Sequence, residues 1–414
     1  MDLIDRIERV RARFEALEPS IQAFLPEHGR FDRLRREALS LCDRYPHPHA
    51  RPPLFGVLVG VKDVFHVDGF ATRAGSRLPP SEMHGPEAES VSRLRRAGAL
   101  IVGKTVTTEF AHSAPGPTRN PHNTRHTPGG SSSGSAAAVA AGFCDVALGT
   151  QTIGSVIRPA AFCGVVGLKP TCGRISTRGV IPLAPSLDHV GCFGIDVPTV
   201  SRAAQVLYTR WHEDPPPSRA PVLGIPEGPY LNRVAGDTMT WFERVCDALI
   251  AAGCELRSTP VMADYAEVCA RHHVILEAEA ARSHAAWFGD YEELYGAQIA
   301  GLIRRGRSIT DRDLQSALDS QAVFRSELCR QMTDSQIDAW ISPSTIGPAP
   351  EGLETTGDPV MNLPWTHAGL PAINLPAGTH RDGLPMGMQI AGRWQGDETL
   401  LVHAEGLQRI TRRL

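Results

Sequence analysis

Pro86-Glu-Ala-Glu-Ser-Val-Ser-Arg-Leu-Arg-Arg-Ala-Gly-Ala-Leu-Ile-Val-Gly-Lys-Thr105 carries two structural periods back to back. Val91, Leu94 and Ala97 share one helical face, and Pro86 with Glu87 marks the start of that helix. Gly98 ends it. Ala99 to Val102 then reads as a short, wholly apolar strand. Upstream, Val57 to Val61 is a second such strand, ending at Lys62. Apolar strands joined through an amphipathic helix predict an α/β sheet covered on both faces. Gly98 to Thr105 also matches the phosphate-loop pattern GxxxxGK[ST]. That motif needs a strand before it and a helix after it. Here the order is reversed, so nucleotide binding is not expected.

The pattern extends in both directions. Leu3, Ile7, Val10, Phe14 and Leu17 predict an amphipathic N-terminal helix. Residues Pro115 to Gly134 are dense in Pro, Gly, Asn, His and Ser and read as loop. Ser135 to Ala141 reads as a helix of small residues, Val146 to Leu148 as a strand, and the chain from there to Thr171 as loop. Pro215-Pro216-Pro217 suggests a linker or surface crossing. Val222 to Ile225 is strand-like. Helical patterns cover Asp237 to Ala252, Tyr265 to Trp287 and Asp311 to Met332. Strands are expected at Ala339–Ile341, Ala372–Leu375 and Met386–Ala391, with a final helix over Glu398–Arg409.

Composition narrows the class. The 414 residues hold 42 Lys plus Arg against 45 Asp plus Glu, a formal charge of −3. That balance argues against a bulk electrostatic nucleic-acid binder. Nine cysteines without a CxxC pair argue against a disulfide framework and a structural zinc site. The charged N-terminus is unlike a signal peptide, and the apolar run Ala136 to Cys144 is too short to span a bilayer. A cytoplasmic protein without cofactor or metal is expected. Only Lys62, Lys104 and Lys169 are lysines. Arginine does not give up its proton in proteins and lysine can, so each lysine is a candidate for proton chemistry.

Three further patterns are weaker. Gly130-Ser131-Ser132-Ser133-Gly134 matches a GxSxG elbow, but no strand precedes it. His122 and His126 have metal-like spacing, but Pro121 and Pro128 prevent a helix there, so they read as surface loop residues. His272 and His273 read as a helix face. Cys163 reads as a small buried hydrophobe rather than a nucleophile.

Two Gly/Ser runs remain: Pro128-Gly-Gly-Ser-Ser-Ser-Gly-Ser-Ala-Ala-Ala-Val139 and Gly149-Thr-Gln-Thr-Ile-Gly-Ser-Val-Ile-Arg-Pro159. Glycine lets backbone approach a substrate closely, serine supplies hydroxyls, and successive N–H groups can hold an oxyanion. Together with Pro53–Asp63, Arg96–Thr105, Pro117–Pro121, Phe162–Thr171, Ser186–Gly191, Gly369–Pro376 and Leu384–Gln389, these runs resemble the amidase signature family of serine hydrolases. The resemblance covers about residues 1–200 and 338 to the end, and is weak from 210 to 337.

The resemblance implies one domain over 1–414, built on a single large mixed twisted sheet with helices on both faces. Residues 53–200 would form its catalytic core segment, and 210–337 a variable helical cover that shapes the substrate pocket. It implies a Ser–cis-Ser–Lys triad: Ser155 as acyl nucleophile, Ser131 as bridging serine 24 residues before it, and Lys62 as base. Backbone N–H groups of Ile153, Gly154 and Ser155, with Thr152, would form the oxyanion hole. Three departures stand out. Gln151 and Ile157 replace the family's Asp and Arg, with Arg158 one place later as a substitute. Ile153 replaces a glycine beside the oxyanion turn. Ser133 replaces another glycine.

The expected activity is metal-independent hydrolysis of a small carboxamide. The alternative is acyl transfer or amide formation, including service as the glutaminase subunit of a tRNA-dependent amidotransferase. The short middle and the lack of a clear tRNA-side extension point away from that service. A non-catalytic scaffold is disfavoured by the intact triad. The expected partner is a small amide, with no nucleic acid or membrane, and a homodimer is left open. Trp287, Phe288, Tyr291 and Tyr295 are assigned to core packing rather than to the pocket. Lys104 and Lys169 are assigned structural places. Ser132, Ser133 and Ser135 are assigned to turn and capping roles.

Overall fold

The computed structural model describes residues 3–212 and 219–414. Its centre is one sheet of ten strands. These are β1 (Leu58–Lys62), β2 (Leu100–Thr105), β3 (Val146–Gln151), β4 (Val166–Lys169), β5 (His189–Gly194), β6 (Val222–Glu227), β7 (Glu255–Pro260), β8 (Ala339–Pro343), β9 (Ala372–Thr379) and β10 (Pro385–Ala391). The spatial order is β2-β1-β3-β5-β4-β9-β10-β8-β6-β7. Parallel pairs occupy both flanks, and antiparallel pairs join β3 through β5, β4, β9 and β10 to β8. The sheet is therefore mixed, with helices on both faces, as expected.

Side-chain alternation along β1 divides the core. Val59 and Val61 pack in the cluster that holds Val91 and Leu94 of the helix Glu89–Arg96. Leu58 packs on the opposite face, with Ala136, Ala137 and Ala138 of the helix Ser133–Ala140 and Ile7 of the helix Leu3–Ile21. A strand repeats every second residue, so Lys62 shares the face of Leu58 and Gly60. The small-residue helix can press close because Gly134 lacks a Cβ. A Cβ there would lie 2.1 Å from the Ala23 carbonyl oxygen and 2.4 Å from Val106 N.

Several elements depart from expectation. The stretch before Thr171 holds a short helix, Ile157–Phe162, and β4. Pro159 reads as a breaker but stands in the first turn, where a missing N–H costs nothing. The helical middle also contributes β7, whose polar residues fit a largely exposed edge strand, and the helix Ala297–Gly306. The helix expected over Tyr265–Trp287 divides at His284 into Tyr265–Ser283 and Ala285–Tyr291. The Pro215–Pro217 linker lies outside the described residues. Among the described residues, no helix is long and apolar enough to cross a membrane.

Candidate active site

Lys62 ends β1 with no solvent exposure. Its Nζ lies 2.7 Å from Ser131 Oγ and 2.6 Å from Thr150 Oγ1, with the Thr150 carbonyl at 3.4 Å. Burial pushes its pKa well below the usual lysine value, opposed by the charge of Asp188. Ser131 is equally buried, and the Gly130–Ser131 peptide is cis. The structure thus joins Lys62 to Ser131 across 69 residues of sequence.

The serines after Ser131 anchor the loop. Ser132 stands at the cap of Ser133–Ala140 but makes no side-chain capping bond. Its hydroxyl donates to the Thr150 carbonyl and accepts from Thr150 N. Ser135 donates to Leu148 O. Both hydroxyls therefore fasten the loop and helix to β3, in place of the capping expected for them.

Ser155 follows the turn that leaves β3. It lines a cavity of about 340 Å³ together with Thr152, Ile153 and Arg158. No hydrogen bond to another described residue ties up its hydroxyl. The turn before it is held from behind. Gln151 Oε1 accepts from Val156 N and Ile157 N at 2.8 and 3.0 Å, and its Nε2 donates to Thr366 Oγ1. Thr366 Oγ1 in turn donates to the Ile153 carbonyl at 2.7 Å. Thr152 Oγ1 donates to Asp188 Oδ1 at 2.6 Å, so it does hold the loop. Asp188 is pushed up to about 6 by burial, against hydrogen bonds from Thr152, Leu183 N and Ala184 N. Gly154 has no room for a side chain, since a Cβ would meet Asn362 Oδ1 at 2.3 Å.

Arg158 links the two serine loops. It is buried, its Nη2 donates to the Gly130 carbonyl at 2.7 Å and to Thr356 Oγ1 at 3.1 Å, and its Nη1 donates to Gly357 O at 2.5 Å. Burial lowers its pKa to about 10, so it stays charged at neutral pH. Gln151 and Arg158 do not pair as a substitute for the family's acid and base. Gln151 braces the turn, and Arg158 braces the peptide before Ser131.

The remaining candidates lie elsewhere. His122 and His126 each reach a backbone carbonyl, of Cys163 and of Ala349. Cys163 is buried and its thiol is pushed up by burial, away from nucleophilic chemistry. His273 is exposed, but His272 is fully buried against His367, with ring centroids 5.6 Å apart. Phe288 and Tyr295 are buried against each other, and Trp287 stacks with Phe110. Lys104 forms a buried 2.7 Å ion pair with Asp63. Thr150, Asp188 and Thr366 have no place in the sequence-based site. Asp188 stands in the quoted Ser186–Gly191 segment, whereas nothing near Thr366 signals a partner more than 200 residues earlier.

The family model described as Amidase matches residues 5–401. The chain belongs to the amidase signature family. It is 33% identical to a glutamyl-tRNA(Gln) amidotransferase subunit from Synechococcus sp. strain CC9311, over 94% of this chain and 90% of that one. The corresponding protein of Geobacter metallireducens is 31% identical over 99% and 94%. A crystal structure described as that of an amidase superposes with a TM-score of 0.88 at 30% identity, covering 99% of this chain and 96% of that one. The native peptide amidase of Stenotrophomonas maltophilia superposes at 0.83 with 25% identity, over 100% and 94%.

Proposed function

We propose that this amidase-family enzyme hydrolyses a carboxamide through an acyl-enzyme on Ser155, without a metal. The observation that carries this reading is the buried 2.7 Å contact between Lys62 Nζ and Ser131 Oγ. Arg158, which lines the same cavity as Ser155, donates to the carbonyl of Gly130 just before Ser131. A serine hydroxyl needs a base to become a nucleophile. An ordinary lysine with a pKa near 10.4 is neutral at pH 7 in only about 0.04% of molecules, a penalty of ~4.6 kcal/mol. Burial lowers the Lys62 pKa and with it that penalty. Neutral Lys62 takes the Ser131 proton while Ser131 takes the Ser155 proton. Ser155 Oγ bonds to the amide carbon, and the N–H groups of residues 152–155 hold the oxyanion. The C–N bond breaks as the proton returns from Lys62 through Ser131 to the leaving amine. Water then splits the ester.

The test compares Lys62→Ala, Ser131→Ala and Ser155→Ala on a panel of amides, with fluorophosphonate labelling. Loss of turnover in all three and labelling at Ser155 are expected. Full activity in Ser155→Ala, or labelling of another serine, would sink the assignment.

The curated relatives named as amidotransferase subunits favour a second reading, in which the same acyl-enzyme releases ammonia from glutamine for a partner. Glutamine hydrolysis that depends on co-purifying subunits would support it. Robust turnover of simple amides by the isolated chain would favour hydrolysis.

A further inference from the structure

Asp188 stands where β5 meets the turn that carries Ser155. β3 and β5 pair antiparallel, with Thr150 opposite Val190 and Gln151 opposite His189. One residue further along that register, Thr152 faces Asp188. The side chains use this proximity, and Thr152 Oγ1 donates to Asp188 Oδ1 at 2.6 Å. Asp188 Oδ2 accepts from Leu183 N at 2.8 Å and from Ala184 N at 3.0 Å. One oxygen thus holds the turn, and the other holds the loop before β5.

Hydrogen bonding alone does not call for a charge at this place. An asparagine accepts both N–H groups on its oxygen and donates from its amide to the Thr152 hydroxyl. All three partners of Asp188 are neutral, and withdrawing a carboxylate from water costs free energy that neutral partners return only in part. The charge has a use at Lys62. Asp188 and Thr150 line one small cavity, and Thr150 Oγ1 is 2.6 Å from Lys62 Nζ. Asp63, the residue after Lys62, is already committed to Lys104. Burial drives Lys62 towards its neutral form, and the charge of Asp188 opposes that drive. Three further titratable groups surround Asp188. Glu279 approaches from the helix Tyr265–Ser283, where it accepts from Ser186 N and Ser186 Oγ at 2.8 and 2.5 Å. Cys172 follows β4, and burial pushes its thiol up. His189 is kept neutral by burial.

We propose that Asp188 is a positioning residue for the reaction, holding the oxyanion turn through Thr152 and supplying the fixed negative charge that Lys62 meets when it takes up a proton. This rests on the reading of Ser155 as nucleophile and Lys62 as base. As Ser155 Oγ attacks, its proton passes to Ser131, and the Ser131 proton passes to Lys62 Nζ. Lys62 gains one positive charge. The Asp188 carboxylate offsets that charge until the proton leaves through Ser131. Asp188 itself gains and loses no proton. A lysine has no tautomer to be fixed, so the contribution is electrostatic and smaller than that of the aspartate in a Ser-His-Asp triad.

The experiment follows the rate of fluorophosphonate labelling at Ser155 across the acidic limb and up to its plateau, in the wild type, Asp188→Asn and Thr152→Val. Asp188→Asn removes the charge and keeps the shape. It should slow labelling at the plateau by at least about tenfold. It should also move the midpoint of the acidic limb down by at least about half a pH unit, because losing a nearby negative charge disfavours protonated Lys62. Thr152→Val keeps the charge and cuts the hydrogen bond, so it should slow labelling without lowering the midpoint. Asp188→Ser, which also removes the charge, is read in the same way if the asparagine variant does not fold. An unmoved midpoint in the folded variant makes Asp188 structural only and overturns the proposal, as do wild-type rates. If the wild type still labels at Ser155, the hydrolase reading survives that result. If the wild type does not label there, both fall.

Discussion

Three lysines occupy three different buried surroundings, and each predicts a different behaviour. Lys104 faces Asp63 and serves as one half of an ion pair. Lys62 faces two hydroxyls and a carbonyl, with no carboxylate in hydrogen-bond contact. Arginine at position 62 would keep a charge and lose the capacity to accept a proton. Lys62→Arg is therefore expected to fold and to lose at least about 10³-fold in turnover. Near-wild-type activity would remove Lys62 as base. In the wild type, kcat/KM should rise with pH along an acidic limb whose midpoint lies well below 10.5, because burial disfavours the charged amine.

Lys169 donates to the carbonyls of Leu370 and Pro170, and burial lowers its pKa to about 7. Its unfolded form titrates near 10.5, so between those values the unfolded state binds more protons. Stability from this group then rises with pH from about 7 towards 10.5, by on the order of 5 kcal/mol over the full window. Lys169→Met should lack that rise. Thermal unfolding of both proteins at pH 7 and pH 9 reads the difference, and parallel curves would refute it.

At the scale of elements, the decisive piece is the connection from β3 to the helix Ile157–Phe162. Its backbone is held by Gln151 and Thr366, and Asp188 holds the Thr152 side chain, three residues from separate parts of the chain. Arg158 then ties it to the Gly130 carbonyl. Arg158→Ala should lower kcat by about 10- to 100-fold, a scale set by charge-assisted hydrogen bonds, and change KM much less. Added guanidinium should restore part of the rate. An equal loss of folding stability with no kinetic rescue would make Arg158 structural only.

This connection also marks how far the sequence can be read. Lys62 was legible because a five-residue apolar strand ends on it, and the serine loops because glycine and serine in such density have few other uses. The short helix after Ser155 was not, since its proline and six-residue length hide the period. β5 was not, because two of its six residues are glycine. The separate bracing roles of Gln151 and Arg158 were not legible either, because they depend on Thr366 and Gly130, which only the fold brings near.

At the scale of the molecule, the N-terminal helix is part of the support for the site. Ile7 is fully buried in the same cluster as Ala136 to Ala138, on the sheet face that carries Lys62. Truncating a buried isoleucine to alanine costs about 2–5 kcal/mol, through lost contacts and an incompletely filled cavity. Ile7→Ala should lower the denaturant midpoint accordingly, while KM for a short amide stays within about twofold. A large change in KM would mean that the helix reaches the pocket by a route other than packing.

The burial of every lysine has a practical consequence for handling the protein. Lys62, Lys104 and Lys169 are all 3% exposed or less, so the folded chain offers amine-reactive reagents almost no ε-amino group. Ester dyes and lysine cross-linkers should leave the three side chains unmodified under native conditions. Their acylation, followed by mass spectrometry during denaturation, would then be a clock for the opening of the sheet, with three reporters on β1, β2 and β4 built into the natural sequence.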